Sequence, residues 1–169
     1  VGIDAAGLEL RMLAHYMNDE EYTHEVTHGD VHTANQKAAG LSTRDNAKTF
    51  IYAFLYGAGD AKIGSVVGGS KRDGAKLKEK FLTNTPSLRT LRERVLRATK
   101  RGHLRGLDGR RLIVRSEHAA LNTLLQSAGA VIMKKALTIL DEYAIIHSMD
   151  YRFVGNIHDE FQVEVKEAH

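Results

Sequence analysis

A chain of 169 residues can bury a core of its own, and without a single cysteine it has no disulfide framework, no thiolate metal site and no cysteine nucleophile. The net charge of +3 hides an uneven distribution: Lys71 to Arg115 holds fifteen Lys and Arg against four Asp and Glu, and the remainder is acidic. That segment reads either as a polyanion-binding face or as a solvated amphipathic helix pair. No signal peptide and no apolar run of membrane-spanning length is found in the sequence, so a soluble, cytoplasmic protein without a membrane partner is expected.

In chain order, VGIDAA opens as the end of a buried strand with Asp4 at its exit. GLELRMLAHYM follows with Leu8, Met12, Leu13 and Tyr16 at helical spacing. The acidic NDEEYTHEV is expected to be a surface connection. Asp30 caps a short helix that ends at Gly40. In STRDNAKTFIYAFLYGAG, Ser42 or Thr43 caps a helix and Ala47, Phe50, Ile51, Phe54 and Leu55 form its apolar stripe. Gly57 and Gly59 stop it. DAKIGSVVGG is a short helix and turn, and the basic stretch after it is two helices split near Thr85-Pro86. HLRGLDGRRLIVRS is a hairpin that turns at Asp108-Gly109. A long helix from Glu117 follows, apolar enough to be central. The last hairpin, Tyr151 to Val165, places Phe153, Gly155 and Ile157 on one side, then Phe161, Val163 and Val165 after a bend at His158-Asp159-Glu160. The class is α+β, with no internal repeat or linker.

That bend is costly, because adjacent carboxylates repel and resist burial. Asp4, leaving its strand into Ala5, Ala6 and Gly7, is either a helix cap or a ligand. Asp4 and Asp159 side by side would make a hard-oxygen site suited to Mg²⁺, with the Ala5 carbonyl as a further ligand. Two such ions roughly 4 Å apart can align an attacking oxygen with a leaving phosphate. Arg44, Lys48, Tyr52 and Tyr56 step by four. They are either the polar edge of an amphipathic helix or a stripe that meets phosphates with its cations and a sugar and base with its rings.

With these motifs the chain resembles the polymerase core of family A DNA polymerases, most closely their short-tailed-phage branch. DAAGLELR is similar to the first palm motif of that family. RDNAKTFIYAFLYG is similar to its finger-helix motif, Arg-x3-Lys-x7-Tyr-Gly, and HDE to its third motif on the palm hairpin. HAALNTLLQSAGA resembles the palm helix that lines the nascent base pair. The resemblance runs end to end with the motifs in family order. It implies a right-hand palm, with a small antiparallel sheet and a long helix, from residues 1–29 and 106–169, and helical fingers from residues 30–105.

The resemblance implies a DNA-directed DNA polymerase, a nucleotidyltransferase that uses two Mg²⁺ ions, dNTPs and primer–template DNA. Asp4, Asp159 and the Ala5 carbonyl would hold the metal, with Glu160 nearby and Lys48 counted among the catalytic residues. Arg44 and Lys48, helped by His32, would hold the triphosphate. Tyr52 would meet the sugar, while Tyr56 would stack at the template base and contact Glu9 in a gate against a 2′-hydroxyl. His158 would lie at the primer end, and Asn122 and Gln126 at the minor-groove edge of the new pair. For His32 and Asn122 a plain helix-surface hydrogen-bonding role is the alternative. Arg11 is read as a structural ion pair.

The family's thumb, any exonuclease and the end of the palm are expected to be missing, and the stretch from Leu91 to Leu107 is short. The chain is therefore expected to be a fragment or one member of a split polymerase, partnered by the missing portion. Two other readings stand beside it. A phage-type RNA polymerase core would lack Glu9 and end its third motif differently from His-Asp-Glu. A non-catalytic nucleic-acid-binding remnant would have no need of Asp4, Arg44, Lys48 and Asp159.

Overall fold

Residues 1–166 are described by the structure, a computed structural model. The chain runs β1 (Gly2–Asp4), α1 (Leu8–Met17), α2 (Glu20–Thr27), α3 (Val31–Ala39), α4 (Arg44–Leu55), α5 (Asp60–Val66), α6 (Lys71–Asn84) and α7 (Pro86–Thr99). A hairpin of β2 (His103–Arg105) and β3 (Arg111–Ile113) and a 3₁₀ turn at Glu117–Ala119 lead into α8 (Ala120–Ile146), then β4 (Tyr151–Ile157) and β5 (Glu160–Val165). Local chemistry sets most of these ends. Thr43 caps α4 by accepting from the Asn46 amide, Ser70 and Asp73 close a reciprocal capping box on α6, and Pro86 opens α7.

The fold is α+β, as read. One antiparallel sheet has the order β1-β5-β4, and β2-β3 form a second. The main core gathers Leu10 and Leu13 of α1, Phe50, Ile51 and Leu55 of α4, Phe81 of α6, Leu88 of α7 and Leu125 of α8. Phe81 meets both Phe50 and Phe54 edge-on, with ring centroids 5.1 and 5.7 Å apart. A smaller cluster, Leu8, Met133, Phe161 and Val163, joins α1 and α8 to the sheet.

Five expectations need correction. The opening strand is not buried: Gly2, Ile3 and Asp4 are exposed, because β1 lies at the edge of its sheet. The acidic NDEEYTHEV is largely helix α2, because Asp19 caps it through the Tyr22 amide and the buried Tyr22 ring anchors it. The alternation along β4 breaks: Phe153 faces Val163 but Gly155 faces Gln162, so Val154 is an extra, bulged residue. The bulge turns Ile157 to the face of Glu160 and Gln162, and Ile157 stays exposed, as do Phe153 and Val154. The long helix is central only in its first half. Beyond Met133 its apolar Ile139, Tyr143 and Ile146 are 52%, 54% and 77% exposed. Finally, Glu117–Ile146 is long and apolar enough to cross a membrane by length and composition alone. No such run was expected, because charged and small residues break its local pattern.

Candidate active site

The bend at the tip of the last hairpin is a two-residue turn. Ile157 pairs with Glu160, which leaves His158 and Asp159 as the central residues. His158 takes φ 56° and Asp159 does not turn positive, the φ pattern of a type II′ turn. β1 docks on this turn, the Ala5 amide donating to the Asp159 carbonyl at 2.9 Å. The register sets Asp4 opposite Glu160, so these two side chains share a face. Glu160 folds back over Gly2, where a Cβ would lie 2.6 Å from its Oε1. The Ala5 carbonyl accepts from the Leu8 amide at 3.2 Å, which leaves it a second lone pair. Gly7, at φ 64°, turns the chain from β1 into α1 with open space where its Cβ would be.

A cleft of about 550 Å³ opens beside this turn, walled by His158 and Asp159, by Glu9, by Tyr52 and Tyr56, and by Gln126 with Gly129. Glu9 is its hub. The Tyr56 hydroxyl donates to Glu9 Oε1 at 2.6 Å, and Gln126 Nε2 donates to the same oxygen. This hydrogen bond, with burial second, pushes the Tyr56 phenol up to about 12. Burial raises Tyr52 as well, with the charges of Glu9 and Asp159 adding to it. Gly129 lets α1 approach, since a Cβ there would meet Leu8 Cδ2 at 3.1 Å.

The cations lie toward the other end of α4. Arg44 and Tyr56 are twelve residues apart, roughly 18 Å along a helix. Arg44 is held bidentately by Asp30, Nε to Oδ2 at 2.8 Å and a terminal nitrogen to Oδ1 at 3.0 Å. The Arg44 hydrogen bond, then that from Thr33, holds the Asp30 carboxyl far below the usual carboxylate range. Lys48 is exposed. His32 leans toward Tyr52, with ring centroids 6.2 Å apart, and its Nδ1 is buried without a partner among the described residues. Burial, then the charge of Arg44, lowers the His32 pKa.

The structure thus gathers Glu9, Tyr52, Tyr56, Gln126, His158 and Asp159 around one cleft and sets Asp4 and Ala5 beside it. Arg44 and Lys48 of α4 and His32 of α3 form a separate group. Asn122 sits one turn before Gln126 on α8, outside the cleft wall. Arg11 makes no ion pair among the described residues; its Nε donates to the Ala6 carbonyl at 2.9 Å. The role of Asp30 beyond capping was not foreseen, because fourteen residues separate it from Arg44 and no local pattern links them.

Among the described residues no three His, Asp or Glu side chains cluster as a self-sufficient metal cage. β1 and the turn together carry three oxygen donors, the Asp4 and Asp159 carboxylates and the Ala5 carbonyl, beside the His158 imidazole. Two carboxylates with open positions suit Mg²⁺, which keeps waters and takes substrate phosphates.

A profile of the family described as DNA polymerase family A matches residues 1–169. The chain belongs to that family. Proteins of Enterobacteria phage T3 and Escherichia phage T7, each named DNA-directed DNA polymerase, are 52% identical to it over 186 residues. Those alignments cover 96% of this chain and 26% of each relative, so the chain spans about a quarter of their length. They are also longer than the 169 residues here, so the phage proteins carry residues within the matched region that this chain lacks. DNA polymerase I of Lactococcus lactis subsp. lactis (strain IL1403) is 26% identical over 185 residues, 96% of this chain and 21% of that one. The fold matches the POL domain of Pol1 from M. smegmatis, in complex with DNA primer-template and dNTP. The TM-score is 0.86 over 98% of this chain and 33% of that one, at 23% identity.

Proposed function

We propose that this chain carries the nucleotidyl-transfer site of a DNA-directed DNA polymerase. The observation that carries the reading is the cleft itself: Asp159, held against β1 by the Ala5 amide, faces Tyr52, Tyr56 and Glu9 across it. In the reaction a primer 3′-oxygen attacks the α-phosphorus of a dNTP. The new O–P bond forms, the bond between the α- and β-phosphates breaks, pyrophosphate leaves and the hydroxyl proton is lost.

Arg44 and Lys48, with His32, hold the triphosphate, so Asp30 must give up Arg44 to the incoming phosphates. Tyr52 supports the sugar, and Tyr56 stacks at the templating position. Glu9, tied to Tyr56 and Gln126, stands where a 2′-hydroxyl would project. Gln126 and Asn122 read the minor-groove edge of the new pair, and His158 attends the primer end. Asp4, Asp159 and the Ala5 carbonyl would hold two Mg²⁺ ions, with Glu160 nearby; bound there, the ions neutralise phosphate charge and align the attacking and leaving oxygens.

In this reading residues 1–29 and 106–169 form the palm and 30–105 the fingers. The remainder of a longer polymerase supplies the thumb, and the protein works in the cytoplasm of a phage-infected cell. Support comes from family membership and from the phage relatives.

The test is primer extension with Mg²⁺ by a chimera in which this chain replaces the matching segment of the T7 protein. Asp4→Asn and Asp159→Asn should each cut extension by on the order of a thousandfold while primer–template binding persists. Extension at the parent rate by either variant would remove the metal assignment.

A further inference from the structure

Two histidines that the cleft chemistry does not use face each other at the end of α2. His24 and His28 are one helical turn apart, and their rings stack with centroids 5.4 Å apart and planes at 24°. Both are exposed. Two imidazoles on one tetrahedral ion, each bonded at about 2.0–2.1 Å, place their ring centroids roughly 5 Å apart. The pair already has the spacing of a chelate.

The ring of His28 is also held in the tautomer that a metal needs. Thr27 Oγ1 donates its one proton to the Thr23 carbonyl at 2.7 Å. Its 2.7 Å contact with His28 Nδ1 is therefore one in which the imidazole donates. The proton sits on Nδ1 and the lone pair on Nε2. A metal-binding imidazole is arranged in the same way, its other nitrogen held by a neighbour. Glu20, one turn earlier on α2, is exposed on the wall of the same groove, of about 540 Å³, and brings a carboxylate to the approach. Arg11, across the groove on α1, is engaged by the Ala6 carbonyl.

We propose that His24 and His28 bind a divalent transition-metal ion of the zinc class through their Nε2 atoms. Imidazole donors suit Zn²⁺, Cu²⁺ and Ni²⁺, whereas Mg²⁺ takes oxygen, so this site is chemically separate from the carboxylates of Asp4 and Asp159. No third side chain joins the pair among the described residues, and water fills the remaining positions of the ion. The role of the ion is structural. His28 is the C-cap of α2, and its amide and that of Gly29 both donate to the His24 carbonyl, at 2.8 and 3.2 Å. A metal joins the same two residues through their side chains and locks the end of the helix. Asp30, which grips Arg44, follows two residues later, its own amide donating to Glu25 Oε2 at 3.2 Å. The clip thus fastens the turn that delivers Asp30 to Arg44. The site goes beyond the nucleotidyl-transfer reading, and its test needs no catalysis, so either can fail without the other.

The test titrates ZnCl₂ into the tag-free 169-residue chain, followed by isothermal calorimetry and by ¹H–¹⁵N spectra of the histidine rings. We expect one ion per chain, with the Nε2 resonances of His24 and His28 moving together and Mg²⁺ moving neither. His24→Ala and His28→Ala should each weaken Zn²⁺ binding at least about tenfold, while His15→Ala, in the same groove, should change it by no more than about twofold. Thr27→Val should weaken binding by about tenfold through the freed His28 ring, and Thr27→Ser should restore it. At a hundredfold excess over its Kd, Zn²⁺ should raise Tm by about 5–10 °C and slow hydrogen exchange most at the amides of residues 24–31. Unmoved ring resonances of His24 and His28 would overturn the proposal, and this readout needs no variant. So would Zn²⁺ binding by the His24→Ala/His28→Ala chain as tight as that of the parent, or one ion shared by two chains.

Discussion

Tyr22 and Tyr52 make the sharpest expectations at the scale of single residues. Tyr22 is buried, and its hydroxyl accepts from the side chain of Asn35, itself only 1% exposed, at 3.4 Å. Burial pushes its phenol up to about 12, from an ordinary tyrosine near 10. A raised folded pKa stabilises the fold below the unfolded value and loses that contribution as pH rises. Stability should therefore fall between about pH 10 and pH 12, where the unfolded chain ionises Tyr22 and the folded chain does not. Tyr22→Phe should flatten that fall in a urea titration across pH. At neutral pH it should cost about 1–3 kcal/mol, because it leaves a buried amide without its partner. An unchanged alkaline slope would mean that Tyr22 ionises freely in the folded state. In the proposed reading Tyr52 meets the sugar and so bears on substrate choice. A 2′,3′-dideoxynucleotide lacks the 3′-hydroxyl, and a tyrosine hydroxyl against the sugar can supply the missing polar partner where phenylalanine cannot. One such bond is worth on the order of 1–3 kcal/mol, so Tyr52→Phe should make the T7 chimera discriminate by roughly tenfold to a hundredfold. Competitive chain termination measures this; strong discrimination before substitution would place the ring away from the sugar.

Between elements, the junction of α4 with the start of α8 rests on Gly57. It takes φ 75° just after Tyr56, and a Cβ there would sit 2.1 Å from the His118 carbonyl oxygen. Gly57→Ala combines left-handed strain with a backbone clash, and should cost about 2–5 kcal/mol and displace Tyr56 from Glu9. Gly7→Ala is the comparison: φ 64° but nothing within 4 Å, so strain alone, about 1–2 kcal/mol. Similar denaturation midpoints for the two variants would show that the close approach does not constrain the junction. The glycine stop after α4 was legible in the sequence, as were a cap at Ser42 or Thr43 and a helix start at Pro86, because each is a local signal. The carbonyl that makes Gly57 indispensable lies sixty-one residues away and left no local trace. The same limit explains the misread α2, whose anchoring Tyr22 reads as one aromatic in an acidic run. It also explains the β4 bulge, which an alternating pattern conceals. In the site, the four-residue stepping of Arg44, Lys48, Tyr52 and Tyr56 was visible, since helical period alone produces it. The Asp30 clamp on Arg44 and the fold of Glu160 over Gly2 depend on register and on α3 meeting α4, which no local spacing encodes.

At the scale of the whole molecule the apolar interior is unequal. Phe50, Phe81, Leu13 and Leu88 belong to one large core that ties α1, α4, α6, α7 and the first half of α8 together. The sheet that carries Asp4 and Asp159 rests instead on four buried residues, Leu8, Met133, Phe161 and Val163. Its β1 is three residues long at an edge, and its β4 is largely exposed. Few buried contacts per backbone hydrogen bond mean a lower free energy of local opening. The carboxylate-bearing sheet should therefore open on its own, ahead of global unfolding. Hydrogen exchange by mass spectrometry checks this: amides of residues 2–5 and 151–165 should exchange faster than those of 47–55 and 77–91. Phe161→Ala removes the largest side chain of the small cluster and should speed exchange in the sheet alone. Phe81→Ala should lower protection everywhere, at about 3–5 kcal/mol for a buried phenylalanine. If Phe161→Ala accelerates all segments equally, the two clusters act as one cooperative unit. If the sheet exchanges separately, primer–template, dNTP and Mg²⁺ added to the T7 chimera should slow it most. Ligands that bind only the closed sheet stabilise it by mass action, so Asp4 and Asp159 would then be ordered by the substrate they bind.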